Sequence, residues 1–306
     1  MNMSIWELCS LQGTLFVIIL AGVYLRKKGI VDDNGKRCLT DLCVSIIIPC
    51  NIIKSCFIEF DLSILKSCGV IFAAGFAMQF VCVLLNKFLF NRYPDQQKKV
   101  LQYCTIVSNG GFLGNPVSEG IYGDLGLLYA SMFLIPMRVV MWSVGTSYFV
   151  AGKTDRKKVL RNVLTHPCLV SVYIGLALML TQIQLPDIIS MPIQYIGSCN
   201  TAIAMFIIGT ILADVKLSTI VNPTTLWFSV IRLGILPAIT LAICLLLKAD
   251  PVASGVSVIM TGMPAGATAA IFAARYGSDA PFATKCVVLT TLLSMVTIPL
   301  WCYWIG

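Results

Sequence analysis

Ten stretches of about 20 predominantly apolar residues follow one another along this 306-residue chain, and nothing else in it restricts the fold as much, since about 20 such residues span a bilayer as a helix. They run over 6–25, 38–58, 67–90, 99–121, 126–150, 164–184, 190–213, 225–248, 252–274 and 281–304. Hydrocarbon offers no partner to a free amide or carbonyl, so each stretch reads as a helix. The connections are short, and no soluble domain fits between them. Composition agrees: 58% of residues are hydrophobic, 12% are charged and the mean hydropathy is +0.87, against roughly 25% charged in a soluble domain. The first stretch has no basic residue ahead of it and no small-residue cleavage site, which argues against a removable signal peptide. The expected fold class is an all-α membrane protein of ten transmembrane helices.

Lysine and arginine set the expected orientation, because cytoplasmic loops carry their excess. Seventeen of the 22 basic residues fall on one side, among them Arg26, Lys27, Lys28, Lys87, Arg92, Lys157, Arg161, Lys216, Arg275 and Lys285. Only Lys54, Lys66 and Lys248 lie near the other. Both termini are therefore expected outside the cytoplasm. A basic rim facing anionic lipid accounts for the net charge of +8 without any nucleic acid partner.

Inside the fourth stretch stands the run SNGGFLGNP, from Ser108 to Pro116. Glycine costs a helix interior about 1 kcal/mol and proline about 3 kcal/mol, so Gly110, Gly111, Gly114 and Pro116 should unwind it. A break within a membrane is tolerated where it is buried in protein or lines a wet cavity, and in transporters that place is the substrate site near the midplane. A second run, Gly262-Met263-Pro264-Ala265, interrupts the ninth stretch. Half-helices beginning at about Pro116 and Pro264 would aim dipole ends and free amides at a carboxylate. Asn109 and Asn115 add donors and acceptors without net charge.

The two breaks belong to a wider self-similarity. Cys50-Asn51 recurs as Cys199-Asn200 at an offset of 149, and Pro116 as Pro264 at an offset of 148. Tyr122-Gly123 and Tyr276-Gly277 follow the two breaks, and Ile135-Pro136 and Ile298-Pro299 match in stretches 5 and 10. Two five-helix halves, 1–151 and 164–306 on either side of a short basic linker at 152–163, must have opposite topology because five is odd. That is an inverted repeat, in which two discontinuous helices meet at the centre.

The stretches SNGGFLGNPV, LRKKGIVDDNGKRCLTDLCVSIIIPCNIIKS and MPAGATAAIFAARYGSDAPFATKCVVLTTLLSMVTIPLW resemble the auxin efflux carrier family, in its prokaryotic branch, and the likeness covers essentially the whole chain. The resemblance implies a fold like that of bile-acid symporters and sodium/proton antiporters. In that fold helices 1, 2, 6 and 7 form a scaffold, through which two copies can pair. Helices 3–5 and 8–10 form a moving domain in which broken helices 4 and 9 cross. It also implies secondary transport of organic anions across the cell membrane: auxin for plant members, small carboxylates such as malonate, malate or lactate for bacterial ones. The large cytoplasmic loop of the plant carriers is absent.

The remaining polar residues leave alternatives open. Arg138, central in stretch 5, costs about 2.5–3.5 kcal/mol there unless paired or hydrated, and it can either fork onto a carboxylate or tie down freed carbonyls. Arg232 can snorkel from stretch 8 to the cytoplasmic surface. Asn51 and Asn200 can line the substrate path or bond across the scaffold. Lys54 can snorkel or draw anions into an outer vestibule. The sole histidine, His166, lies at a membrane edge, so a dedicated proton relay is poorly supported, while sodium can be held by carbonyls and Asn side chains. Thirteen cysteines show no metal spacing, and no nucleophile and base pair stands out, so no catalytic residue, cofactor or metal site is expected. Three readings follow: an organic-anion carrier, a sodium-coupled symporter of bile-acid type, and a membrane sensor without turnover.

Overall fold

The computed structural model describes residues 5–59, 61–149, 157, 160, 161, 164–215 and 220–305, which form helices and no strand. Most of the linker 152–163, together with Lys216 and Gly306, lies outside the described residues. Helix α1 (Ile5–Lys27) ends on Arg26 and Lys27, where positive charge meets the carbonyl end of the dipole. Helix α2 (Asp33–Leu42), N-capped by Asp32, passes through a π-helical turn at Cys43–Ile47 into α3 (Ile48–Lys54). Then come α4 (Leu62–Asn86), capped by Asp61, and α5 (Asp95–Ile106). A π-helical turn at Gly110–Gly114 opens α6 (Asn115–Val140), and another at Met141–Gly145 closes it. The second part of the chain holds α7 (Pro167–Thr181), α8 (Asp187–Ser198), α9 (Asn200–Ala213) and α10 (Pro223–Val230). A π-helical turn at Ile231–Ile235 leads into α11 (Leu236–Leu246), followed by α12 (Pro251–Gly262), α13 (Thr268–Arg275) and α14 (Ala280–Ile305).

Among the described residues, three of the four π-helical turns end two residues before a proline, at Pro49, Pro116 and Pro237. Proline lacks the amide that would continue the ladder, and its ring crowds the carbonyl four residues back, so widening the preceding turn lets the helix run on. This corrects one expectation. Pro116 does not start a half-helix: helical structure already resumes at Gly110.

Among the described residues, six helical runs are long and apolar enough to cross a membrane: Trp6–Lys27, Leu62–Asn86, Gly110–Gly145, Asp187–Ala213, Pro223–Leu246 and Ala280–Ile305. Pro167–Thr181 and Pro251–Gly262 are shorter apolar helices. The second expected stretch falls outside this set because its first turns carry Asp33, Lys36, Arg37 and Asp41. Stretch 5 and the second half of stretch 4 are two helices that meet at a kink at Gly123, whose φ of 65° and ψ of -153° are non-helical and open to glycine at little cost. Gly277, in the matching Tyr-Gly pair, also has positive φ (66°) and follows the end of α13.

Small residues set the closest approaches. A Cβ on Gly209 of α9 would collide with the Ile19 carbonyl of α1, and Gly197 of α8 brings its neighbour α3 so near that a Cβ would lie 3.0 Å from the Asn51 Cα. Helix α3 also packs on α7, α4 on α6, and α11 on α12. The largest buried cluster gathers Cys82, Leu101, Leu128, Leu134, Met260, Ala265 and Cys286 around the centre of α4, α5, α6, α12 and α14. A smaller one, with Ile19, Val117, Met205, Ile208 and Met263, joins α1 and α9 to that centre. Val17, Phe80, Leu246 and Val296 stay exposed on the outside, where a soluble protein would carry charge and a membrane protein meets lipid.

Candidate functional site

The helical ladder fails twice near the middle of the molecule, at Val107–Asn109 after α5 and at Met263–Ala267 after α12, and the two gaps satisfy one another. Ser108 and Ala265 form an isolated antiparallel bridge. The Asn109 amide donates to the Pro264 carbonyl at 2.8 Å, and the Gly266 amide donates to the Val107 carbonyl at 2.9 Å. Pro264 therefore sits inside the gap as an acceptor, and the second half-helix starts at Thr268 rather than at the proline. Gly266 is needed at the crossing, since a Cβ there would approach Val107 Cγ1 to 2.9 Å.

The other freed groups are also accounted for, as burial demands. Arg232 Nε donates to the Met263 carbonyl and Arg232 Nη1 to the Thr105 carbonyl, each at 2.9 Å. One guanidinium, only 2% exposed, thus clamps the carbonyl ends of both preceding half-helices. Gln79 Nε2 donates to the Ile106 carbonyl at 3.3 Å, and the Ala265 amide to Thr290 Oγ1 at 3.1 Å. Snorkelling of Arg232 is ruled out by this burial. The carbonyl support considered for Arg138 falls to Arg232 instead.

The glycines have a different task from the one expected. Gly110 and Gly114 are helical, and their missing side chains admit Met260: a Cβ on Gly110 would lie 2.9 Å from Met260 Cε, and one on Gly114 would lie 2.7 Å from Met260 Sδ. A Cβ on Gly111 would meet nothing within 4 Å, so the first turn of this half-helix faces open space there. The first amides of a helix have no partner inside it, and here Gly110, Gly111 and Phe112 hold that position.

Asn115, one turn further on, is wholly buried, and neither its Oδ1 nor its Nδ2 has a partner among the described residues. Asn109 is 4% exposed, and its carbonyl accepts from the Leu113 and Gly114 amides. Gly262 ends α12 beside Pro237 and Trp301. Arg138 is 6% exposed with Nη1 unpartnered among the described residues. One turn on, Trp142 Nε1 is likewise buried without an acceptor. Asn200 is fully buried on α9, which packs on the Gly110–Gly114 turn: its Oδ1 accepts from Cys43 Sγ at 4.0 Å, joining α9 to the turn before α3, and its Nδ2 has no partner among the described residues. Asn51 donates to Glu119 Oε2 at 3.1 Å, and Lys54 pairs with Glu119 Oε1 at 3.0 Å, so Lys54 does not reach out toward lipid or bulk anions.

Gln79, Thr290, Gly266 and Trp142 carried no signal in the sequence, and Arg232 was expected at the membrane surface. Arg232 carried a signal, a charge five residues before Pro237 inside an apolar stretch, but nothing local reveals that it faces inward.

Long apolar helices, two of them interrupted and hydrogen-bonded to each other at mid-molecule, define a multi-pass integral membrane protein. The chain belongs to the membrane transport protein family, whose pattern it matches over residues 13–302, and that family takes in the auxin efflux carriers. It is 23% identical to an uncharacterized transporter of Methanocaldococcus jannaschii over 302 residues, covering 94% of this chain and 95% of that protein. An uncharacterized transporter of Methanothermobacter thermautotrophicus is 24% identical over 293 residues, again 94% of this chain and 95% of the relative.

Proposed function

We propose that this chain is a secondary carrier of small organic anions, carboxylates above all, working by alternating access around the crossing of its two interrupted helices. The observation that carries the reading is Asn115, a fully buried amide with both polar atoms unpartnered among the described residues, one turn into the half-helix that begins at the crossing. A buried orphan of this kind costs about 1–3 kcal/mol per group, a cost a ligand can offset. Uncharged Asn donors and helix-start amides hold a carboxylate while still allowing its release. The unpartnered Nη1 of Arg138 and Nε1 of Trp142 supply two further donors toward an anion.

The proposed layout is ten helices in two inverted repeats, 1–151 and 164–306. Pairing of α1 with α9 and of α3 with α7 supports it, since an inverted repeat exchanges those pairs. The shared positive φ of Gly123 and Gly277 supports it too. On this reading α1, α2–α3, α7 and α8–α9 form the scaffold and the rest moves. Coupling to sodium is disfavoured: the Thr105 and Met263 carbonyls that would face such an ion accept from Arg232. Anion movement down the membrane potential needs no coupled ion, one charge across 100 mV being worth about 2.3 kcal/mol.

The proposed location is the plasma membrane with both termini outside. A reporter fused after Lys158 should then read as cytoplasmic and one after Gly306 as external; a cytoplasmic Gly306 would mean an odd number of spans and would break the inverted repeat.

Arg138→Lys keeps the charge but loses the planar fork. Thermal-shift titrations should show roughly 10- to 100-fold weaker carboxylate binding, the loss of about 1.5–3 kcal/mol expected for a charge-assisted hydrogen bond. A neutral analogue should be little affected, and Arg138→Gln should be worse still for the anion. Unchanged affinity in Arg138→Gln would remove this residue from the site.

A further inference from the structure

Asn51 and Lys54 lie three residues apart on one face of α3, and together they hold both carboxylate oxygens of Glu119. Lys54 Nζ also lies 3.8 Å from Asp124 Oδ1. Asn51 is fully buried and its backbone is wedged against Gly197 of α8, so this side of the contact is fixed to its neighbours. Glu119 rides on the other side, on the half-helix that begins at the crossing, one turn beyond Asn115.

We propose that Asn51, Lys54, Glu119 and Asp124 form a gate latch, which closes the crossing toward the face where α3 ends and must part whenever the site opens to that face. The inference rests on the carrier reading above, in which α3 belongs to the scaffold and the 110–122 half-helix to the moving part. The latch is the place where ion pairs join those two parts. The ion pairs described at the opposite face behave differently: Arg26 with Asp33 (2.6 Å) and Asp214 (2.7 Å), and Lys36 with Asp214 (2.7 Å), tie α1, α2 and the end of α9 to one another. The state described here is therefore held shut by ion pairs between the two parts at the α3 end. Lys54 and Glu119 keep 23% and 21% of their side-chain surface in contact with the exterior, so parting them returns both charges to water rather than stranding them. Such a latch biases the equilibrium without locking it.

Hydrogen–deuterium exchange on the purified full-length protein in nanodiscs tests this without any substrate. Lys54→Gln and Glu119→Gln should each speed amide exchange over 110–125 and 48–59 by roughly two- to fivefold, as loss of a partly exposed ion pair implies. Exchange over 136–146, beyond the crossing, should slow as that side closes, and exchange along 14–26, where α1 packs on α9, should stay unchanged. The charge-swapped variant Lys54→Glu/Glu119→Lys, combined with Asp124→Asn so that the new glutamate does not face a second carboxylate, leaves the Asn51 Oδ1 free to accept from the new lysine and should restore the wild-type pattern. Unchanged exchange in both single variants overturns the latch. So does faster exchange everywhere with no slowing at 136–146, which would mark a merely stabilising ion pair. Because exchange needs no transport, a failed latch remains distinguishable from a failed carrier.

Discussion

Replacing Arg232 with methionine is expected to abolish transport and to lower the thermal unfolding midpoint by roughly 5–15 °C. The guanidinium is the shared partner of the Thr105 and Met263 carbonyls, one at the end of each interrupted helix. Methionine fills similar space but leaves both acceptors buried and unpaired, at about 1–3 kcal/mol each. Arg232→Lys should fall between the two, since an ammonium supplies the charge but not a planar fork that reaches both oxygens. Unfolding of purified variants, paired with initial uptake rates, gives the answer. Wild-type stability in Arg232→Met would mean that the crossing is held by its bridge at Ser108 and Ala265 alone.

Asn115→Leu should do the reverse to stability and the same to activity. Leucine shares the branched outline of asparagine and has no polar atom to strand, so removing a wholly buried amide with two unpartnered atoms should raise stability by about 1–3 kcal/mol, less what its bulkier methyl groups cost. Transport should vanish, because the orphaned amide is retained for the ligand and not for the fold. A variant that is both more stable and inert marks a functional residue, as stability gained at a site commonly costs activity there. Equal loss of stability and transport would instead make Asn115 a packing residue.

What the sequence disclosed follows from how local each signal is. Apolar length needs no partner to be read, so the helices were legible, as was an interruption near Ser108 and another near Pro264. The placement of the interruptions was misread because proline was treated as a helix start. In the folded chain Pro116 is absorbed by the widened turn at Gly110–Gly114, and the actual gap is the three residues before it. Gly110 and Gly114 were assigned to unwinding because local propensity says so, whereas their role is set by Met260, about 150 residues away in the chain. Arg232 was read as snorkelling for the same reason: its partners, Thr105 and Met263, come from two different helices, and no window around residue 232 contains them. Lys54 was read as snorkelling or drawing anions into a vestibule, because its pairing with Glu119 across α3 and α6 is visible only in three dimensions.

The central claim, that the crossing carries a carboxylate through the membrane, is tested most directly by counterflow. Proteoliposomes loaded with an unlabelled mono- or dicarboxylate and diluted into a trace of the same labelled anion should accumulate label transiently with the wild-type protein. They should accumulate none with Asn115→Leu, which remains folded. Screening a panel of carboxylates with neutral analogues of similar size alongside identifies the substrate in the same experiment. Counterflow for at least one carboxylate, lost in Asn115→Leu, is the predicted result; counterflow that survives intact in Asn115→Leu, or that appears for neutral solutes and for no carboxylate, would contradict it.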